Sequence, residues 1–79
     1  MNAQLAETLA SVFGMKVSEI VPGLTQSDIE SWDSLKQMDL VVSLEDRFNV
    51  TLDVEDIVRM TSVSEIEAVL LERGVVFEP

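Results

Sequence analysis

Between Ser34 and Asn49 apolar side chains recur at helical spacing on two opposite faces of one helix. Leu40, Val41, Leu44 and Phe48 cluster on one side, and Leu35, Met38 and Val42 cluster on the other. Packing on one side of a bundle requires only one stripe. The second is therefore either buried too, because the helix is central, or left open for a partner. Asp39 and Asp46 border this second stripe, Glu45 lies near its other edge, and Lys36 and Arg47 fall on a flank. Asp33 and Ser34 both have helix-start chemistry, and Ser31-Trp32 stand just before them.

The rest of the chain has to supply what covers this helix. From Asn2 to Gly14 the spacing of Leu5, Leu9, Val12 and Phe13 predicts a first helix, with Gly14 as its stop. Met15 to Glu30 is then a long connection with a Pro22-Gly23 turn, and Val17, Ile20, Val21, Leu24 and Ile29 are its apolar anchors. Within it, Ser27 to Glu30 has a capping-box pattern that predicts one helical turn. Val50 to Leu52 lead into a short third helix with Asp53 as N-cap, Asp56 near the positive dipole end, and Ile57, Val54 and Met60 inward. Ser62 with Glu65 has the capping-box pattern for a last helix, whose core face is Ile66, Val69 and Leu70 and whose stop is Arg73-Gly74. Val75 to Phe77 either pack back or fray. The expected fold is all-α: a single domain over residues 1–79, a small four-helix bundle of three longer helices and one short third helix, with a long loop between the first two.

Composition removes most chemistries. There is no cysteine and no histidine, so there is no disulfide framework, no thiolate or imidazole metal ligand, and neither of the commonest catalytic side chains. A serine nucleophile would have only Lys16, Lys36 or a carboxylate as base, and Lys36 lies two residues after Ser34, off its helix face. Asp53 to Asp56 lack the alternating ligands and central glycine of an EF-hand loop. A net charge of −10 repels nucleic acid and anionic lipid and favours partners with basic patches. No apolar run can span a bilayer, and the first residues lack a signal-peptide pattern, so a cytoplasmic monomer is expected.

Ser34 remains as the one hydroxyl that needs no neighbouring base, provided another enzyme modifies it. A phosphate ester there would meet the open N–H groups and positive dipole end of a helix. The alternative is that Ser34 simply caps that helix. Trp32 has its own structural reading, packing on the first turn as a hydrophobic staple.

The run from Trp32 to Phe48 resembles the signature of the acyl carrier protein family. The matching residues are Asp33, Ser34 and Leu35, then Asp39-Leu40, then Leu44, Glu45, Asp46 and Phe48. The likeness continues through Val50 to Leu52, the acidic Asp53 to Asp56, and Thr61 to Val63, and the first helix and long loop match in pattern. The resemblance implies that Ser34 is esterified by 4′-phosphopantetheine from coenzyme A and that the arm's thiol holds acyl intermediates as thioesters. The chain would then catalyse nothing. Its implied partners are a phosphopantetheinyl transferase, an acyl-loading ligase or synthase, and downstream acyl-transfer enzymes with basic patches. Asp33 and Leu35 would flank the attachment point, and Leu35, Met38, Asp39, Val42, Asp46 and Asp56 would be read by those partners. Ser31-Trp32 in place of small residues, and Lys36 in place of an acid, look more like a specialised free-standing carrier than the fatty-acid-synthesis type. An aminoacyl or peptidyl carrier, or an unmodified acidic helical adaptor, are the alternatives.

Overall fold

A computed structural model describes residues 1–77. Four helices follow one another: α1 (Ala3–Phe13), α2 (Ser34–Phe48), α3 (Val54–Arg59) and α4 (Val63–Glu72). Single 3-10 turns at Val17–Glu19 and Gln26–Asp28 interrupt the long connection between α1 and α2. No strand is present among the described residues, and no described helix is long and apolar enough to cross a membrane. The all-helical bundle with one short third helix is therefore the architecture that the periodicities imply.

Each helix boundary has a local cause. Asn2 Oδ1 accepts from the Leu5 N–H at the start of α1, and Gly14 ends that helix at φ 66°, a conformation that only glycine adopts without cost. Asn49 ends α2 the same way at φ 51°, where a short polar side chain is the next best choice. Asp53 and Asp56 form a reciprocal capping box on α3. The start of α4 is shared: Ser62 Oγ accepts from the Glu65 N–H, and the loop carbonyls of Leu24 and Pro22 accept from Val63 and Ser64. Orphan N–H groups of a helix start thereby tie the long connection to α4.

The core is built from one face of each long helix. Leu5 and Leu9 of α1, Leu40 and Leu44 of α2, and Val63, Ile66, Val69 and Leu70 of α4 have no exposed surface, and neither does Met60. Ile20 and Ile29 of the connection are buried with them. Phe77 packs edge-on to Phe48 at 5.8 Å, so the apolar tail folds back onto the bundle while Val76 stays exposed.

Several local expectations are corrected. Val54 faces solvent at 74% exposure, because α3 presents Ile57 and not Val54 to the core. Val17 and Val21 are exposed and do not anchor the connection. Its second turn starts at Thr25, not Ser27, since Asp28 accepts a hydrogen bond from the Thr25 N–H. Glu65 does not complete a capping box with Ser62; its carboxylate lies 3.4 Å from Arg59.

Arg59 and Arg73 pin α3 to α4. Arg59 holds Glu72 at 2.7 Å, and Arg73 reaches both Asp53 and Asp56. The Asp56 N–H and then Arg73 hold Asp53 below its ordinary 3.8, and Arg59 holds Glu72 below its ordinary 4.5. Depressed carboxyl groups stabilise the fold above their unfolded values, and that contribution is lost as pH falls through the lower folded values. The melting temperature is therefore expected to fall below about pH 4, with a shallower acid slope in Arg59→Gln than in the parent. Equal slopes would show that the Arg59–Glu72 pair carries no stability.

Candidate functional site

The residues around the start of α2 divide their roles in a way the sequence leaves open. Asp33 is the N-cap, extended at φ −104°, and its Oδ1 accepts from the Lys36 N–H at 2.9 Å. Ser34 is the first helical residue and is exposed. Its hydroxyl makes no hydrogen bond among the described residues, and the N–H groups of Ser34 and Leu35 have no acceptor there either. A capping role for the serine is thereby removed. What remains is an unengaged hydroxyl beside two open donors, at the end of a helix that favours negative charge.

The second stripe of α2 is open. Leu35, Met38 and Val42 are 79%, 53% and 62% exposed, while Leu40, Val41 and Leu44 carry the packing. Asp39 and Asp46 are exposed alongside them. Glu45 instead serves the fold, since its Oε2 accepts from the Leu52 N–H at 2.9 Å and fixes the chain as it approaches α3. Five of the six residues expected to face partners thus share one accessible side of α2.

Asp56 is the exception. It is buried, its own N–H and carboxylate are engaged in the α3 capping box, and its Oδ2 also accepts from Arg73 Nε at 2.7 Å. Its charge is neutralised inside the fold, so it does not belong with the exposed acids. No sequence pattern near Asp56 announces Arg73, which lies 17 residues away.

Trp32 is buried at 3% exposure, its ring centroid 4.7 Å from that of Phe13 in α1. Its Nε1–H donates to Gln37 Oε1. Trp32 is the residue before the N-cap and Gln37 the fourth of the helix, the two positions a hydrophobic staple joins, but here a hydrogen bond makes the link. Gln37 Nε2 in turn donates to the carbonyls of Ile57 at 2.9 Å and Met60 at 3.2 Å.

A cleft of about 390 Å³ opens beside Ser34, lined also by Gln26, Gln37, Met38, Ile57, Val58 and Thr61. Its walls mix amide and hydroxyl groups with apolar ones, which suits a chain of alternating amides and methylenes. Of these residues, only Ser34 and Met38 belong to the expected site. Thr61 lies in the stretch that continues the family likeness, and Gln26 and Gln37 carry no local signal.

The chain matches the phosphopantetheine attachment site family over residues 3–70. It is 36% identical over 62 residues to an acyl carrier protein of Exiguobacterium sp., covering 78% of each chain. It is likewise 36% identical over 63 residues to an acyl carrier protein of Streptomyces coelicolor, covering 80% of this chain and 68% of that one. A meromycolate extension acyl carrier protein of Mycolicibacterium aurum is 32% identical over 66 residues, 84% of this chain and 68% of the relative.

Proposed function

This chain belongs to the acyl carrier family that bears a phosphopantetheine attachment site, and from that premise we propose that Ser34 is the attachment point. The protein is a non-catalytic carrier of acyl groups on phosphopantetheine in biosynthesis. The observation that carries the assignment of Ser34 is the division of labour at the start of α2. Asp33 takes the cap, and Ser34 keeps an exposed hydroxyl next to unpaired backbone N–H groups.

Attachment is a phosphoryl transfer from coenzyme A, made by a phosphopantetheinyl transferase. Ser34 Oγ forms a phosphodiester, the adenosine bisphosphate half of coenzyme A leaves, and the hydroxyl proton passes to a base on the transferase. The arm, once attached, supplies the thiol that this cysteine-free chain lacks, and holds the acyl group as a thioester. The open N–H groups of Ser34 and Leu35 stabilise the phosphodiester charge. Gln26 and Thr61 offer hydrogen-bonding partners to the amides of the arm, and Met38, Ile57 and Val58 offer apolar contact.

Leu35, Met38 and Val42 form the apolar centre of the face that partner enzymes read, and Asp39 and Asp46 its charged border. Loading enzymes and downstream acyl-transfer enzymes meet it with basic patches, which the net charge of −10 attracts over distance. The described helices share one core, which supports reading residues 1–79 as one carrier domain. An adaptor that keeps Ser34 as a cap has no support here, because the cap is Asp33.

Incubation with coenzyme A and a broad-specificity phosphopantetheinyl transferase is expected to add the mass of one phosphopantetheinyl group. Fragmentation is expected to place it on the peptide containing Ser34. An unchanged intact mass, or a group found on another serine, would overturn the assignment.

A further inference from the structure

We propose that the groove between α1 and α2 is a seat for a basic side chain of the enzyme that docks on α2, and that Arg47 occupies this seat in the free protein. The proposal rests on the partner face read above, but not on which residue carries the arm.

The groove measures about 240 Å³ and shares no lining residue with the cleft beside Ser34. Two i,i+4 pairs form its walls, Glu7 and Ser11 on α1 and Ser43 and Arg47 on α2, with Asp46 at its border. The hydroxyls of Ser11 and Ser43 and the carboxylate of Asp46 make no hydrogen bond or ion pair among the described residues. Arg47 approaches Glu7 only to 3.7 Å. Among the ion pairs of the described residues it is the longest, and the one without a hydrogen bond. Both of its members are about half exposed, so water and salt weaken it further.

Two carboxylates and two free hydroxyls thus surround one loosely held guanidinium. The groove already accepts a cation, and it holds more acceptors than that cation uses. Its balance of charge is negative in a chain of net charge −10, which excludes an anion as its occupant. Asp46 joins the groove to the partner face. It lies four residues after Val42, so the exposed stripe of Leu35, Met38 and Val42 runs up to the groove's edge. An enzyme that covers the stripe brings its basic rim to that edge. A lysine or arginine entering there meets Asp46 and Glu7, while Arg47 gives up one weak tie and turns to water. Glu7 is therefore a recognition residue on α1, and Arg47 is an internal competitor for the same carboxylate.

A pair that merely staples α1 to α2 would be harmed alike by loss of either member. A pair that masks a docking seat responds with opposite signs. The probe is a phosphopantetheinyl transferase with a basic docking face, and KM and kcat for loading are measured beside thermal melts. Glu7→Gln is expected to raise the KM for the carrier several-fold, and Arg47→Gln to lower it several-fold. In both, kcat is expected to stay close to the parent's, because Ser34 stands about 20 Å away along the axis of α2. Both variants are expected to melt close to the parent, since an exposed pair without a hydrogen bond contributes little. High salt is expected to narrow the difference in KM between them.

Glu67→Gln makes the same change in net charge on α4, where Glu67 has no hydrogen bond or ion pair among the described residues. It is expected to leave KM nearly unchanged. A KM that moves the same way in Glu7→Gln and Arg47→Gln, or in neither, would overturn the proposal. So would a Glu67→Gln effect as large as that of Glu7→Gln, which would reduce the groove to long-range charge. Dissociation constants of the transferase complex with Ser34→Ala, with and without Glu7→Gln, read docking without chemistry. A parent that gains no mass while these constants differ several-fold would overturn the attachment reading and leave the groove standing. Equal constants would overturn the groove.

Discussion

The Ser34→Ala variant is expected to take up no phosphopantetheine while melting within about 2–4 °C of the parent. Two observations make the effects so unequal. The hydroxyl is the only group lost, and it makes no hydrogen bond among the described residues, so folding loses nothing through it. The neighbouring Asp33 carries the stabilising role, and its side chain accepts from the Lys36 N–H. Asp33→Ala is accordingly expected to load but to lose about 1 kcal/mol of stability, near 4–8 °C in a domain of this size. Intact mass and thermal melts on the two variants read both quantities. A Ser34→Ala protein that still gains mass would refute the assignment, and one that melts far below the parent would return the serine to a capping role.

Leu44→Ala and Met38→Ala, on opposite faces of α2, are expected to fail in different ways. Leu44 has no exposed surface and packs with Leu5, Leu9 and Val69 in one apolar cluster. Its truncation is expected to cost about 2–5 kcal/mol. That is a large part of the roughly 4–12 kcal/mol that a domain of this length holds in total, so much of the Leu44→Ala population is expected to be unfolded at 37 °C. Met38 is 53% exposed, and its truncation is expected to change stability by less than about 0.5 kcal/mol. The effect of Met38→Ala, like that of Leu35→Ala, is expected in a several-fold lower rate of loading by the transferase, because apolar area that a partner covers is lost. Parent-like loading in both variants would reduce the stripe to scattered surface residues. Denaturant melts and loading kinetics on the same preparations distinguish the outcomes.

The two faces of α2 also mark how far the residues alone could be read. Helix starts at Asn2, Asp33, Asp53 and Ser62 follow from side chains meeting backbone N–H groups three residues on, and the stops at Gly14 and Asn49 from residues that tolerate a positive φ, so these were legible. So was the assignment of Leu40, Val41 and Leu44 to one face and Leu35, Met38 and Val42 to the other, since helical periodicity needs no neighbour. The attachment signal around Ser34 was legible for a related reason: it is a short contiguous motif at a helix start. Less was legible where only one partner of a pair has a local signature. Val54 was misplaced on a six-residue helix, too short for periodicity to choose a face.

Read alone, the residues settle the all-helical class of the chain, where its helices begin and end, and which hydroxyl stands at the start of the second helix. All of these depend on interactions among near neighbours in the chain. Which stripe of α2 is covered depends on long-range packing, because coverage belongs to what α1 and α4 bring against it. Only the tertiary structure drew Asp56 inward, through an arginine 17 residues away. It likewise made Trp32 and Gln37 one device, through the Phe13 ring and two carbonyls at least 20 residues beyond Gln37. Such contacts close long loops between groups whose local sequence holds no record of each other, and burial and pairing at the site are settled by them.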